Sequence, residues 1–92
     1  SQTFLQSVAG TMSKAPAGTH IEIGGHTDST GDPEKNLALS QARADAVRQA
    51  LIDHGVAPEM LSAKGYGGTQ PIASNDTAQG RERNRRIAFS VR

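Results

Sequence analysis

The sequence predicts an α+β fold in which two helices cover one face of a small sheet. Helix-like and strand-like patterns alternate along the chain in the order αβαβ(α)β, which is typical of strands joined by helical crossovers. The chain has 92 residues, of which 35% are hydrophobic, so it has room for one small core. We therefore expect a single domain over residues 1–92, excised from a longer protein.

The first element is predicted to be an amphipathic helix over residues 2–14. Its apolar residues recur at spacings of three and four, as on one face of a helix: Phe4, Leu5, Val8, Ala9 and Met12. Pro16 and Gly18 follow, and residues of these types end helices.

The second element is predicted to be a short, half-buried strand. Ile21 and Ile23 alternate with polar residues, and the pattern runs into Gly24 and Gly25. Two consecutive glycines let the backbone turn tightly or let another group approach it closely.

A long helix is predicted next, and its end is better defined than its start. Asp32 followed by Pro33 offers a capping residue and a proline for the first helical position, whereas Asn36 is a competing cap. Gly55 follows His54 as a glycine beyond a helix C-terminus does, so the helix is expected to end there.

The remainder of the chain predicts two more strands with a polar connection between them. Residues 61–67 have the pattern of a strand, and residues 69–84 form a glycine-containing connection in which Asp76 or Thr77 caps a short helical turn. The last segment alternates strictly, which predicts a strand, since three apolar residues are spaced by two: Ile87, Phe89 and Val91.

The composition excludes several classes of site. Aromatic residues make up 3% of the chain and tryptophan is absent, so a platform for stacking bases or sugars is disfavoured. A net charge of +1 gives no general attraction to nucleic acid or to an anionic membrane. The absence of cysteine removes disulfides, thiolate metal sites and thiol catalysis, and no cofactor is expected.

Arg43 is the residue that points to a binding site. Projection at about 100° per residue places it within an apolar face formed by Leu39, Ala42, Ala46, Val47, Ala50 and Leu51, with Gln41, Asp45 and Arg48 on the other face. A guanidinium directed toward a core needs hydrogen-bond partners, and the preceding loop contains Asp28 and Asp32. Asp28 is the better candidate, because ligands tend to bind just past the carboxyl end of a strand.

A site with one acidic and one basic side chain suits a zwitterion. Asp28 would bind an ammonium, and Arg43 would bind a carboxylate in a bidentate manner. Two alternatives remain open at this point: Asp28 and Arg43 pair with each other as a structural ion pair, or Arg43 lies along the core with its charged head in water.

Two other functions are weighed against this one. His26 and Asp28 have the spacing of two ligands of a metal-dependent hydrolase, although no third ligand has diagnostic spacing. The arginines between Arg81 and Arg86 form a basic cluster that is typical of a solvated face or an electrostatic interaction module. Alternation along the last strand would send Arg85 and Arg86 to opposite sides.

Several motifs occur in an order that strongly resembles the OmpA-like C-terminal domain. The resemblance extends from about residue 21 to residue 91 and rests on these residues: Gly25-His26-Thr27-Asp28, Gly31, Asn36, Leu39-Ser40, Arg43-Ala44, Gly65-Tyr66-Gly67, Pro71-Ile72-Ala73-Ser74-Asn75 and Asn84-Arg85-Arg86.

This resemblance implies a noncatalytic module of the bacterial cell envelope that binds peptidoglycan noncovalently through the diaminopimelate residue of the stem peptide. The family's ligand-binding aspartate and arginine correspond to Asp28 and Arg43, and its supporting positions correspond to Thr30, Asn36 and Arg86. The implied location is the periplasm, with the parent protein in the outer membrane or otherwise membrane-anchored. The implied fold is a mixed βαβαβ sheet whose first strand is expected to be missing from this chain.

Overall fold

The order of helices and strands agrees with the prediction. A computed structural model describes residues 2–16 and 18–91, with only the backbone described for residues 2–5 and 13. Its elements are α1 (Gln2–Ser13), β1 (Ile21–His26), α2 (Pro33–Asp53), a 3₁₀ turn (Pro58–Met60), β2 (Leu61–Gly67), α3 (Ala78–Asn84) and β3 (Arg86–Val91). The predicted α+β class is confirmed, and no helix among the described residues combines the length and apolarity needed to cross a membrane.

The sheet is mixed and has the strand order β2-β1-β3. β1 is parallel to β2, to which it is connected through α2, and antiparallel to β3. In the antiparallel register His26 is paired with Arg86, so the loop that leaves β1 lies beside the residues that enter β3. This register places two distant segments of sequence at one end of the sheet.

The core lies between the sheet and the two longer helices. Its buried hydrophobic residues are contributed by every major element except α3 and β3: Ala9, Met12, Ile21, Ile23, Ala44, Leu51, Val56 and Leu61. Ala9 and Met12 confirm part of the predicted apolar face of α1, with Val8 packed against the core, whereas the side chains of Phe4 and Leu5 lie outside the described residues.

The predicted apolar face of α2 is confirmed at Leu51 and Val47, which lie in or against the core, and is wrong for the first half of the helix. The buried residues of this helix are Ser40, Ala44 and Leu51, whereas Leu39 is 44% exposed and Arg43 is exposed. Ala42 and Ala46 are exposed too. Projection assigns Gln41 and Arg48 to the opposite face, but both contact the backbone of β2. The Gln41 side chain hydrogen-bonds Ala63 and Gly65, and the Arg48 side chain donates to the Leu61 carbonyl.

Close approach of the helix to the sheet explains this difference. A Cβ on Gly25 would lie 2.1 Å from the carbonyl oxygen of Ser40, and a Cβ on Gly65 would lie 2.4 Å from the backbone nitrogen of Gln41. Only small residues fit at such a contact, so serine and alanine occupy positions where hydropathy favours leucine. Ser40 is fully buried, and its hydroxyl accepts a hydrogen bond from the Gly67 N–H at 2.9 Å.

Local signals define the helix ends. Asp32 caps α2 by accepting from the Glu34 N–H at 2.9 Å, so Asn36 is not the cap. At the other end Gly55 has a φ of 101°, and the N–H of Val56 donates to Leu51, which closes the helix. Thr77, and not Asp76, caps α3, a helix that also includes Arg81 and Arg83 and is longer than the predicted turn.

Candidate functional site

The loop after β1 is fixed by hydrogen bonds within the backbone and from side chains. Thr27 and Asp28 are both buried. The N–H of Thr27 donates to the Gly67 carbonyl at 2.9 Å, and its hydroxyl donates to the Asp28 carbonyl at 2.8 Å. These hydrogen bonds attach the loop to the end of the paired strands β1 and β2, and this attachment fixes the position of Asp28.

The Asp28 carboxylate has two strong donors. Oδ1 accepts from the Thr30 N–H at 2.9 Å, and Oδ2 accepts from the Arg85 guanidinium at 2.5 Å. The backbone N–H of Thr30, together with Arg85, lowers the pKa of Asp28 below its usual value, so the carboxylate is ionised at neutral pH. The Asp28 side chain is 11% exposed and that of Arg85 is 45% exposed, so the ion pair has one buried and one accessible member.

Asn36 closes the loop over Asp28. Its side-chain amide donates to the Thr30 carbonyl at 2.9 Å and to the Asp28 carbonyl at 3.5 Å. Thr30 thus contributes its N–H to Asp28 and its carbonyl to Asn36. Three of the five predicted site residues, Asp28, Thr30 and Asn36, belong to one hydrogen-bonded unit that joins β1 to the first turn of α2.

Arg43 is not part of that unit. It lies on α2 two turns after Asn36 and is exposed, and its side chain makes no hydrogen bond or ion pair with any residue that the structure describes. Asp28 therefore does not pair with Arg43, and its partner is Arg85. The guanidinium of Arg43 is accessible on the helix that carries Asn36.

Arg86 is the first residue of β3, and its guanidinium has different partners from that of Arg85. Its guanidinium donates to the carbonyls of Gln70 at 3.1 Å and Asn84 at 3.3 Å, and it lines a groove with His26. Of the two adjacent arginines, the structure brings Arg85 and not Arg86 to Asp28. Sequence reasoning omitted Arg85 from the site, although the predicted alternation distinguished the two residues.

The residues of the two alternative functions are separated. His26 stacks on Tyr66 with ring centroids 5.1 Å apart, whereas the Asp28 carboxylate binds Thr30 and Arg85. The described residues contain no group of three metal-ligating side chains. The arginine cluster is divided as well, since Arg81 donates to the Asn75 carbonyl while Arg85 and Arg86 point to different sites.

Asn84 orders the connection that leads to these arginines. It is fully buried, and its Oδ1 accepts from the N–H groups of Ile72 and Ala73 while its Nδ2 donates to Ala73 and Asn75. Asn75 in turn accepts from the Ser29 N–H at 3.3 Å. Two contacts therefore connect the Asn-Arg-Arg segment to the Asp28 loop: the ion pair of Arg85 with Asp28, and the hydrogen bonds from Asn84 through Asn75 to Ser29.

The chain is similar in sequence and fold to known proteins. The chain is 47% identical over 87 residues to outer membrane porin F of Pseudomonas fluorescens, an alignment that covers 95% of this chain and 26% of the porin. It resembles the C-terminal domain of Helicobacter pylori MotB with a TM-score of 0.93 and 34% identity, covering 99% of this chain and 70% of that one. It also resembles the peptidoglycan-associated lipoprotein of Burkholderia pseudomallei, with a TM-score of 0.90, 37% identity and coverage of 99% and 76%.

The chain thus spans about a quarter of the length of the porin. These relatives are not enzymes, in agreement with the prediction of a noncatalytic domain. The family model described as the OmpA family matches residues 1–85. Fold, sequence and the matched motifs together show that the chain belongs to the OmpA family.

Proposed function

We propose that this domain binds peptidoglycan noncovalently through the diaminopimelate residue of the stem peptide and so anchors its parent protein to the cell wall. The name of the Burkholderia relative, a peptidoglycan-associated lipoprotein, supports the ligand class. The observation that carries the proposal is the ionised Asp28 carboxylate on a fixed loop, facing an accessible guanidinium.

The chemistry of diaminopimelate suits this arrangement. Its side chain ends in an ammonium beside a carboxylate. In the proposed complex the ammonium replaces Arg85 at Oδ2 of Asp28, while Thr30 continues to donate to Oδ1. The guanidinium groups of Arg85 and Arg43 then bind the ligand's carboxylate.

Asn36 and Thr30 have a supporting role in this proposal. Their hydrogen bonds hold the loop in one conformation, so the ligand does not have to order it on binding. Arg86 is not included, because its guanidinium is held by the carbonyls of Gln70 and Asn84.

Calorimetry with a diaminopimelate-containing muropeptide tests the proposal. Asp28→Asn and Arg43→Gln should each weaken binding by at least about tenfold, because the first removes the anionic partner of the ligand's ammonium and the second removes one of the two guanidinium groups that bind its carboxylate. Arg83→Gln is the matched control, since Arg83 is an exposed arginine of α3 outside the site, and it should bind within about twofold of the wild type. Wild-type affinity in both folded site variants would refute the assignment.

A second ligand tests the zwitterion itself. A muropeptide with lysine in place of diaminopimelate keeps the ammonium and lacks the side-chain carboxylate, so it should bind less tightly. Equal affinity for the two muropeptides would show that diaminopimelate is not what the site recognises.

We also propose that the domain works in the periplasm as part of a membrane-attached parent protein. The support comes from the outer membrane porin and the lipoprotein among its relatives. Fractionation of cells that make the full-length protein, followed by sedimentation with purified cell-wall sacculi, tests this. Recovery of the protein in the cytosolic fraction would contradict it.

A further inference from the structure

The face of the sheet opposite α2 carries a polar groove of about 310 Å³ across β1 and β3. Gly25 faces α2, so its neighbours Gly24 and His26 face the other way. Gly24 pairs with Ala88 in the antiparallel register, and these two small residues form the floor. A Cβ on Gly24 would lie 3.1 Å from His26 Nε2 and 3.2 Å from the Tyr66 ring, so the groove depends on this glycine.

His26 presents a neutral imidazole to this groove. His26 is only 5% exposed, and its Nδ1 is buried without a hydrogen-bond partner among the residues that the structure describes. Burial, and secondarily the charge of Arg86, lowers the pKa of His26, which outweighs the opposite effect of Glu22. We assign the proton to Nε2, because a proton on Nδ1 would be buried without an acceptor. His26 therefore offers an N–H donor beside the floor.

Arg86 offers a fixed positive charge at the same end. It is paired with His26 across β1 and β3, and its guanidinium donates to two neutral carbonyls, those of Gln70 and Asn84. Among the described residues no carboxylate forms an ion pair with it. Its remaining N–H groups and the His26 Nε2–H are donors suited to one anion.

Glu22 determines the orientation of a ligand in the groove. It lies four residues before His26 on the same strand, about 13 Å away along the backbone, and accepts a hydrogen bond from the Tyr66 hydroxyl. Its negative charge disfavours a second anionic group at that end. The groove thus suits a slender molecule with one terminal carboxylate and an uncharged or cationic remainder.

We propose that this groove binds the free carboxylate end of a short peptide. The terminal carboxylate accepts from Arg86 and His26, and the extended peptide backbone passes over Gly24 and Ala88 toward Glu22. At about 3.3 Å per residue, three or four residues span the groove. This site lies on a different face from the Asp28 loop and involves none of its side chains.

NMR titration of the ¹⁵N-labelled chain tests the proposal with three probes: acetyl-trialanine, its C-terminal amide, and acetate. Acetyl-trialanine should shift the amide signals of Gly24, His26 and Ala88, and the amide form should bind at least about fivefold more weakly. Equal binding of the amide would overturn the proposal. If acetate binds as tightly as acetyl-trialanine, the site takes a free small acid and the assignment to a peptide is wrong.

Two independent variants identify the groove. Arg86→Gln removes the charge, and Gly24→Ala fills the floor; each should weaken acetyl-trialanine binding by at least about tenfold. Arg83→Gln is the control and should bind within about twofold of the wild type. If Arg86→Gln does not fold, as its spectrum will show, Gly24→Ala decides the question. Wild-type affinity in a folded Gly24→Ala variant, or signal shifts confined to Thr30 and Asn36, would overturn the proposal.

Discussion

The contact between Gly25 of β1 and Ser40 of α2 sets the distance between helix and sheet, and Gly25→Ala tests it. The added Cβ would lie 2.1 Å from the Ser40 carbonyl oxygen, 2.9 Å from its carbonyl carbon and 3.2 Å from its Cα. All three are backbone atoms, so rotation of a side chain cannot relieve the overlap. Ordinary van der Waals contact starts near 3.4 Å, so α2 has to move away by more than about 1 Å.

The expected cost has two parts. Overpacking of a well-packed core costs about 1–3 kcal/mol. Movement of α2 also lengthens the hydrogen bond from the Gly67 N–H to the Ser40 hydroxyl, now 2.9 Å, and a buried N–H without a partner costs about 1–3 kcal/mol. We expect a loss of about 3 kcal/mol or more in the free energy of unfolding, which lowers Tm by roughly 12–24 °C in a domain of this size.

Urea and thermal unfolding followed by circular dichroism measure this loss. Gly10→Ala is the control, because Gly10 lies inside α1 and, outside its own stretch of helix backbone, the added Cβ would meet no atom of the described residues within 4 Å. That substitution should raise the free energy of unfolding by up to about 1 kcal/mol, since alanine favours a helix over glycine. If Gly25→Ala unfolds within 1 kcal/mol of the wild type, the close helix–sheet contact does not limit stability and the reasoning fails.

Three further predictions concern stability. Asn84→Ala leaves two backbone N–H groups and a carbonyl without their buried partner and should cost about 3 kcal/mol or more in urea unfolding; a loss below 1 kcal/mol would contradict it. The pKa of Asp28 is lowered from 3.8, so its ionised form stabilises the fold above that pH and this contribution is lost as the pH falls below it. The stability difference between wild type and Asp28→Asn should therefore shrink on acidification below pH 3.8, and a constant difference would be evidence against this pairing. The pKa of His26 is lowered from 6.5, so the unfolded chain binds a proton that the folded chain does not, and wild-type stability falls as the pH drops below 6.5. His26→Phe keeps a ring against Tyr66 and removes the enclosed Nδ1, so the Tm of this variant should depend less on pH between about 7.5 and 5.5. If its Tm depends on pH as strongly as that of the wild type, groups other than His26 cause the dependence.

Element ends and strand alternation were predictable because they depend on neighbouring residues. Asp32 before Pro33, and Gly55 after His54, specify the ends of α2 through backbone hydrogen bonds within four or five residues. Alternation along the last strand likewise predicts, with no information about the rest of the fold, that Arg85 and Arg86 point in different directions, and the two have different partners.

Hydropathy predicted the burial of Leu51 but could not predict that of Ser40 and Ala44. That method assumes that buried positions are apolar, whereas here the buried positions near β1 and β2 are those where small residues meet strand glycines. Gly25 and Gly65 hold the relevant information, but the two glycines are adjacent only once β1 and β2 are paired in register.

The partner of Asp28 was not predictable for a related reason. Arg85 is 57 residues away in sequence, and it reaches Asp28 because β3 is antiparallel to β1 and begins where β1 ends. Periodicity identifies strands but not their order or direction. Helical projection therefore favours Arg43, which is nearer in sequence, although this arginine is exposed in the fold.

The Asp28–Arg85 pair itself explains how the proposed site would distinguish a zwitterion from a simple cation. A lysine ammonium that displaced Arg85 would exchange one ion pair for another and leave the guanidinium without a partner, so the net gain is small. Diaminopimelate would displace Arg85 in the same way but supply a carboxylate for the released guanidinium, with Arg43 as a second donor. Arg85→Gln should therefore strengthen binding of the lysine muropeptide relative to the diaminopimelate muropeptide. The affinity for the diaminopimelate muropeptide divided by that for the lysine muropeptide, both measured by calorimetry, should fall by at least about threefold. An unchanged ratio would show that Arg85 acts only as a structural partner of Asp28, in which case selectivity would depend on Arg43 alone.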